Sequence, residues 1–415
     1  MTSNTRTPPE GPGDAGAAPP APRAWAFERR DATRLLAVVA IACALLLVAM
    51  VAELEWDDVD AFGRRDFACF HAAARRALHG EPGLYADRAR LFANPPSALP
   101  LVLPLALLSP HAAWLACAAL TSLGAIGALA LAARIGDAGD RATAILVALT
   151  APPLWLAVHL GQLSGLYALA LAGSLYAWSR GRETTAGAIA ALLCLKPPLA
   201  LGIVLLAVAR RARRFFTGFA IVLGLSLALS VPFGIERWSE WGDGLAILAD
   251  IHEHAPRSWW KQLGLYALVR WELAPIAGPE IARVAWALIT LPLALWVGRC
   301  LARAERIDAS VVSRVALATV ALNLYCFVYD GVLLAIPALL AVRDRRHVSM
   351  ALAALVWLTT AVLPFAGIGA PLAAPIALAW LIWETWRAAR TGTTRTGATR
   401  TDATRADDRS PALAG

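Results

Sequence analysis

The sequence predicts an all-α bundle of transmembrane helices, and two observations support that fold class. The chain of 415 residues is 58% hydrophobic and only 16% charged, whereas a soluble domain usually has about 25% charged residues. The charged residues are grouped, and several of the apolar runs between the groups reach the roughly 20 residues that an α-helix needs to cross hydrocarbon. A soluble protein with a very large core is therefore the weaker alternative.

The apolar runs follow one another along the chain and predict a polytopic bundle of about 10–13 spans. A shorter run at 98–108 is interrupted by prolines and predicts a re-entrant or interfacial segment. The full-length and half-length runs lie at 35–51, 111–133, 142–160, 164–178, 186–195, 199–209, 215–231, 281–297, 311–328, 332–342, 350–363 and 371–386.

Both ends of the chain predict disordered tails. Residues 1–30 begin with a stretch rich in Pro, Ala, Gly and Thr, and residues 391–415 contain a low-complexity Thr/Arg repeat. Neither segment has enough apolar surface to offset the entropy of ordering. Residues 31–390 then form a single transmembrane domain. Its first run predicts an uncleaved span, because no small-residue cleavage site follows it.

The distribution of arginine predicts the orientation in the membrane. Arginine-rich loops occur around 210–214, 299–314 and 343–347, and short basic loops face the cytoplasm. Both termini then lie in the cytoplasm, and the loops 53–97 and 236–278 lie outside. The second outer loop contains five tryptophans, which suit a membrane interface. The net charge of +8 therefore reflects orientation and does not indicate binding of nucleic acid.

The predicted spans cross the membrane in alternating directions only if one segment does not cross it completely. Residues 186–209 must enter and leave on the cytoplasmic side, and "CLKPPLA" lies in their middle. Pro197 and Pro198 break a helix because they lack N–H donors and clash with the preceding turn. We expect two half-length helices that meet near these prolines. Irregular backbone at such a depth is tolerated where it is buried in protein or lines a cavity.

Five polar residues from separate regions fall on the predicted outer side. One interpretation takes Asp66 and Asp330 as helix caps and Lys196 as a lysine that snorkels to the headgroups. The same interpretation takes His159 and Gln162 as an ordinary turn between helices. Ionisable groups near hydrocarbon usually face a cavity or a partner, however. We therefore expect one shared polar pocket.

Several stretches resemble motifs of glycosyltransferase family 87, a GT-C-type group of membrane enzymes. This group includes mannosyltransferases dependent on polyprenol-phosphate-mannose and related arabinofuranosyltransferases. The resemblance covers roughly residues 66–346, and the order and spacing of the motifs make it fairly specific. The stretches are "DFACFHAAARRALHGEPGLY", "FANPPSALPLVLPLALLSP", "HLGQLSG", "CLKPPLA" and "YDGVLLAIPALLAVR".

The resemblance implies a GT-C-like fold with an extracytoplasmic juxtamembrane helix after the first span. It also implies a hexosyl- or pentosyltransferase in the cell membrane. The enzyme would move a sugar from a polyprenyl-phosphate carrier to a hydroxyl of a lipid or glycan acceptor at the outer face, with inversion. Mannose is the first candidate sugar and arabinofuranose the second.

The resemblance further implies roles for individual residues. Asp66 would be the general base, because an acceptor hydroxyl is a weak nucleophile until a carboxylate takes its proton. Lys196 and Arg65 would bind the donor phosphate, where a fixed cation stabilises developing charge. Contacts to the substrate would come from His159, Gln162, Tyr329 and Asp330. No cofactor besides the donor is expected. No metal ligands are assigned, since the one Asp-x-Asp, at Asp58 and Asp60, precedes the motifs and is interpreted as a solvated acidic run, and a metal requirement stays open.

Two other functions remain open from the sequence. A secondary transporter or lipid flippase would use Lys196 and Asp330 as a coupling pair at broken helices. Against it, the two halves of the chain show no convincing similarity, and the polar residues gather at one face. A non-catalytic assembly protein is the other alternative. The sequence has no P-loop, G-x-S-x-G or H-E-x-x-H motif, so ATP-driven work and zinc hydrolysis are unsupported.

Overall fold

The computed structural model describes residues 66–87, 91–135, 141–254, 262–366 and 372–407, together with Val38, Ile41, Ala42 and Leu45. Every named element in these ranges is helical, and one isolated antiparallel bridge pairs Gln262 with Phe327. The predicted all-α bundle is thereby confirmed. Most of the predicted first span at 35–51 lies outside the described residues, as do residues 1–30.

Sixteen α-helices are defined within the described ranges. They are α1 (Phe67–His79), α2 (Leu99–Val102), α3 (Pro110–Ala133), α4 (Arg141–Thr150), α5 (Pro152–Leu160), α6 (Ser164–Ser179), α7 (Glu183–Ala190), α8 (Leu201–Ala209), α9 (Arg213–Ser230), α10 (Glu236–His254), α11 (Leu265–Ala277), α12 (Pro279–Ala302), α13 (Ala309–Ala321), α14 (Ala335–Arg343), α15 (His347–Ala366) and α16 (Ala373–Asp407). Short 3₁₀ segments extend several of them, at Pro96–Ala98, Leu103–Leu107, Ala191–Leu195, Pro197–Ala200, Val231–Phe233 and Val328–Leu334.

The helices differ in whether they alone can cross a membrane. Within the described ranges, α3, α9 with its 3₁₀ extension, and α12 are long and apolar enough, and α4 with α5 gives a fourth span if this pair, bent by 63°, is counted as one. Five further apolar helical stretches in these ranges have 10–17 residues, and prolines or 3₁₀ turns interrupt several of the runs. The chain is a membrane protein, while the count of about 10–13 spans stays a prediction.

The chain breaks at Lys196, between two arms that lead to the same end of the bundle. One arm is α7 with Ala191–Leu195, and the other is Pro197–Ala200 with α8. Lys196 itself is non-helical, with φ −137° and ψ 79°. Arg210, which follows α8, interacts electrostatically with Glu183, the first residue of α7. The arms thus begin and end at one level, as the double proline predicts.

Arginines gather at the level where these two arms begin and end. Arg134, Arg180 and Arg343 follow α3, α6 and α14, and Arg306 precedes α13; all four line one cleft. We call this level the arginine end. At rises of 1.5 Å per α-helical and 2.0 Å per 3₁₀ residue, each arm is about 20 Å long. Lys196 therefore lies about 20 Å from the arginine end, whereas α3 is about 36 Å long.

Glycines bring the first helices into backbone contact. A Cβ added to Gly165 of α6 would overlap the Thr121 carbonyl of α3, and one on Gly187 of α7 would overlap the Phe215 carbonyl of α9. In lipid, helices associate through such close packing, since apolar surface gains little by leaving hydrocarbon. The series α3, α6, α7 and α9 therefore forms a closely packed half of the bundle.

Helix α1 packs against the proline-rich 96–108 segment and against α3. Its apolar stripe, which includes Phe67, Phe70 and Ala74, is buried. His71 Nε2–H donates to the Leu108 carbonyl at 3.2 Å, which fixes α1 to the proline-rich 96–108 segment. A Cβ on Gly161 would overlap the Phe67 side chain, so α1 also touches the turn after α5. The start of α1 is thereby held against the α5–α6 turn.

The two loops predicted to lie outside contact one another. Arg237 of α10 donates from Nη2 to the Glu81 carbonyl at 2.9 Å, and Trp241 donates from Nε1 to the Ala93 carbonyl at 3.0 Å. Tyr85 is buried beneath α10, and this burial raises the pKa of its hydroxyl, with Glu240 adding to the shift. Helix α10 therefore packs on the segment that follows α1.

The C-terminal tail differs from its prediction. Disorder was expected for 391–415, but α16 continues through residues 391–407 to Asp407. This stretch has no proline, and it extends a helix that packing against α13 and α15 already stabilises. Extension of a formed helix avoids the unfavourable nucleation step, which explains why a polar Thr/Arg repeat can be helical here.

Replacing Gly165 with alanine should destabilise the bundle by about 1–3 kcal/mol, because the added methyl group overlaps backbone that cannot move aside. The thermal midpoint of the purified protein would measure this loss. Gly224→Ala on α9 is the matched control, since a Cβ there meets nothing within 4 Å. Equal midpoints for the two variants would contradict the close α3–α6 contact.

Candidate active site

Asp66 stands at the N-cap position of α1, but its side chain does not cap the helix. Instead its Oδ2 accepts a hydrogen bond of 2.9 Å from Gln162 Nε2, across 96 residues of sequence. The side chain is partly exposed. The capping interpretation of Asp66 is therefore wrong, and its carboxylate faces the α5–α6 turn.

The α5–α6 turn, residues 161–163, joins two parts of the site. Gln162 is buried, and its backbone carbonyl accepts a short hydrogen bond from Thr121 Oγ1 on α3. Gly161 closes α5 with φ 68°, a left-handed conformation that glycine adopts without strain. Two residues after Gln162, Ser164 Oγ donates to Asp330 Oδ1 at 2.9 Å. The turn therefore connects Asp66 with Asp330.

Asp330 and Lys196 form a buried ion pair. Lys196 Nζ lies 2.7 Å from each oxygen of Asp330, whose side chain is fully buried while that of Lys196 is 17% exposed. Asp330 Oδ2 also accepts from the Phe327 backbone N–H at 3.0 Å. Asp330 therefore does cap the Val328–Leu334 segment, and it also neutralises Lys196. Lys196 does not snorkel to the lipid surface.

Two aromatic rings complete the surroundings of the ammonium. Lys196 Nζ lies 4.6 Å from the centre of the Tyr329 ring and 5.5 Å from that of Phe327, and the two rings stack on each other. Such cation–π contacts stabilise a desolvated ammonium. The Tyr329 hydroxyl interacts electrostatically with both Asp66 and Asp330. Tyr329 is therefore the residue that both carboxylates share.

Two side-chain amides donate hydrogen bonds to backbone carbonyls at the helix break. Asn94 Nδ2 donates to the Leu195 carbonyl at 2.7 Å, and Asn323 Nδ2 donates to the Pro198 carbonyl at 2.8 Å. These carbonyls flank Lys196, and the double proline removes N–H groups that would otherwise serve this part of the chain. The two asparagines therefore fix the backbone on both sides of Lys196.

The cluster lies level with the middle of α3. The sequence predicted polar residues at or beside the outer ends of spans. In the structure the contact between Gln162 and Thr121 is halfway along α3, and Lys196 is about 20 Å from the arginine end. The hydrocarbon core is about 30 Å thick. The helices that meet at the cluster are shorter than α3 and α9.

Four of the predicted site residues join this cluster directly: Gln162 with Asp66, and Lys196 with Asp330. Tyr329 packs against them. His159 contributes its backbone carbonyl, which accepts from Trp114 Nε1 at 3.2 Å, and its side chain is partly exposed near the same turn. Arg65 lies outside the described residues. Within the described ranges, no three His, Cys, Asp or Glu side chains converge as metal ligands would.

Sequence reasoning missed three supporting residues. Ser164 was part of the "GQLS" stretch, but a serine at the start of an apolar helix also suits close packing. Asn94 and Asn323 each stand among apolar residues. Isolated amides in apolar segments tend to find a partner, because an unsatisfied polar group in hydrocarbon is unfavourable. An isolated asparagine in an apolar segment therefore indicates that its side chain has a hydrogen-bond partner. It does not indicate that this partner is a backbone carbonyl at a helix break.

The cluster places an accessible carboxylate and a paired ammonium in one low-dielectric region. Asp66 can accept a proton, and Lys196 can stabilise an anion, which together suit group transfer to a hydroxyl. Fold and site thus define a polytopic all-α membrane protein with an embedded polar centre.

The family model described as Glycosyltransferase family 87 matches residues 92–327, more than half of the chain. The protein belongs to this family and is a membrane glycosyltransferase. No curated protein and no solved structure gave a significant match. The match includes Gln162 and Lys196, whereas Asp66 lies 26 residues before its start and Asp330 three residues after its end.

Removing one partner of the buried ion pair should destabilise the protein more than removing both. We expect Lys196→Met or Asp330→Leu alone to lower the free energy of unfolding by about 3–5 kcal/mol, because a buried charge loses its partner. The double variant should recover much of that loss. Thermal midpoints of the three variants measure the coupling, and strictly additive losses would show that the pair is not a unit.

Proposed function

We propose that the protein transfers a sugar from a polyprenyl-phosphate donor to a hydroxyl of a lipid or glycan acceptor. Mannose is the first candidate sugar and arabinofuranose the second. Family membership supports the glycosyltransferase activity. The observation that best supports the mechanism is the continuous contact from Asp66 through Gln162 and Ser164 to Asp330 and Lys196.

Asp66 acts as the general base in this proposal. Gln162 holds Oδ2, and Oδ1 accepts no hydrogen bond within the described part of the chain, so Oδ1 is the oxygen that takes the acceptor's proton. The deprotonating hydroxyl oxygen attacks the anomeric carbon while the bond to the phosphate oxygen breaks. Attack opposite the phosphate inverts the configuration, by analogy with inverting hydrolases.

Lys196 stabilises the departing lipid phosphate. An ammonium has three N–H donors, and two of them point to the oxygens of Asp330. The third is left for a phosphate oxygen. Its effect on the charge that develops there is large in a site with little water. Arg65 precedes Asp66 in the sequence and is proposed as a second contact to the phosphate.

The remaining residues position the reacting groups. Asp330 is fully buried, so it orients Lys196 and does not hold a sugar hydroxyl. Gln162 orients Asp66, and His159 and Tyr329 contact the sugar. We propose no metal and no cofactor besides the donor. The enzyme lies in the cell membrane with both termini in the cytoplasm and the Asp66 side outward.

Asp66→Asn should lower the transfer rate by at least about 100-fold, since the amide cannot take the proton and general-base catalysis contributes about that much. The assay uses purified enzyme with a panel of polyprenyl-phosphate sugars, which also identifies the donor.

Asp243→Asn is the control for this variant. Asp243 is exposed on α10, and its loss removes the same charge without touching the cluster. The control should keep full activity. Near-normal turnover by Asp66→Asn with a productive donor would exclude Asp66 as the base.

Lys196→Arg should raise the KM for the donor by about tenfold and leave the KM for the acceptor unchanged. The longer, planar guanidinium keeps the charge but cannot occupy the position of the ammonium between Asp330 and the two rings. Steady-state kinetics with each substrate varied in turn separate the two constants. Equal increases in both would indicate general damage to the site.

A further inference from the structure

A second polar cavity lies at the arginine end, far from the cluster around Lys196. It is a cleft of about 550 Å³ between the ends of α3, α6, α13 and α14 and the side of α16. Two aspartates and five arginines line it; the arginines are Arg134, Arg180, Arg306, Arg343 and Arg387. Positive charge therefore predominates in this cleft.

Three of these arginines have no acidic partner among the described residues. Arg343 pairs with Asp344 at 2.7 Å, and Arg387 pairs with Glu384 at 2.8 Å. Within the described part of the chain, Arg134, Arg180 and Arg306 form no ion pair; Arg180 lies over the Tyr176 ring, 5.2 Å from its centre. Three guanidinium groups are thus available to an anion from outside the protein.

The beginning of α13 adds uncharged hydrogen-bond donors to the lining of the cleft. Ala309 and Ser310, in the first turn of α13, line the cleft. The Ser310 hydroxyl is buried and has no hydrogen-bond partner among the residues that the structure describes. Asp308 also lines the cleft, and its carboxylate is engaged in capping α13 through the Val311 N–H at 2.9 Å. A helix start presents free N–H groups and partial positive charge, which favour an anion.

Arginine at the end of a helix has a simpler explanation, because cations stabilise helix C-termini. That explanation applies to Arg134, Arg180 and Arg343. It does not explain Arg306, which precedes α13. Nor does it explain a buried hydroxyl without a partner, or a cleft with room for a ligand of several atoms.

We infer that this cleft binds a phosphate-bearing anion. Guanidinium groups bind phosphate through paired, charge-assisted hydrogen bonds. Basic pockets between helices at a membrane surface hold phosphate headgroups in this way. An anionic lipid and a soluble phosphate compound share this chemistry of recognition, and the two arms of the test distinguish them. The inference does not rest on the proposed function, since the cleft is about 20 Å from Lys196.

The test uses the full-length protein in nanodiscs of phosphatidylcholine. One arm adds phosphatidylglycerol or cardiolipin and counts retained lipids by native mass spectrometry. The other arm adds inorganic phosphate or pyrophosphate and follows the thermal midpoint. The variant Arg134→Gln/Arg180→Gln/Arg306→Gln should weaken binding at least tenfold in whichever arm shows it, since each surface arginine contributes substantially to phosphate affinity.

Arg213→Gln/Arg214→Gln/Arg303→Gln is the matched control. It removes the same charge from exposed positions at the same end, outside the cleft. Ser310→Asp is a second probe, because it places a carboxylate in the cleft while an acidic residue in the first turn suits α13. Ser310→Asp should weaken phosphate binding, as the variant with Arg134, Arg180 and Arg306 replaced by glutamine does. Equal binding by both triple variants, or no binding in either arm, would overturn the inference.

Discussion

The buried carboxylate of Asp330 is the constraint on which the rest of the site depends. An isolated ionised carboxylate is very unfavourable in a low-dielectric interior unless it is paired and hydrogen-bonded. Asp330 receives Lys196 on both oxygens, Ser164 on one and the Phe327 N–H on the other. Three separate segments must therefore meet at this residue, and their meeting fixes the position of the ammonium.

The broken helix is the second requirement, because it brings Lys196 to Asp330. A regular helix through residues 183–209 would carry the lysine past the site, whereas the double proline lets the chain turn back to the arginine end. Such a break leaves carbonyls to be satisfied inside the membrane. Asn94 and Asn323 satisfy two of them from opposite sides. The position of Lys196 thus depends on residues that contact no substrate in the proposed mechanism.

Local patterns predicted much of the fold but only part of the site. Apolar runs predicted the helices, and the double proline predicted the break, since both signals are local. The direction in which a side chain points depends on partners that are distant in the sequence. Asp66 begins a helix and reads as a cap, and only Gln162, 96 residues away, shows otherwise. The full burial of Asp330 likewise follows from partners in other segments. The Thr/Arg repeat read as disorder because its composition does not reveal the helix that it extends.

The ion pair also bears on how the chain is made. Lys196 and Asp330 are 134 residues apart. Ribosomes work from the N-terminus, so the lysine exists for some time before its counter-ion. During that interval the glycine-packed helices α3, α6, α7 and α9 are already complete and can associate. The nascent protein must then shelter a lone ammonium until α13 and the segment after it arrive. The ammonium therefore gains its counter-ion only when the last third of the polypeptide has been made.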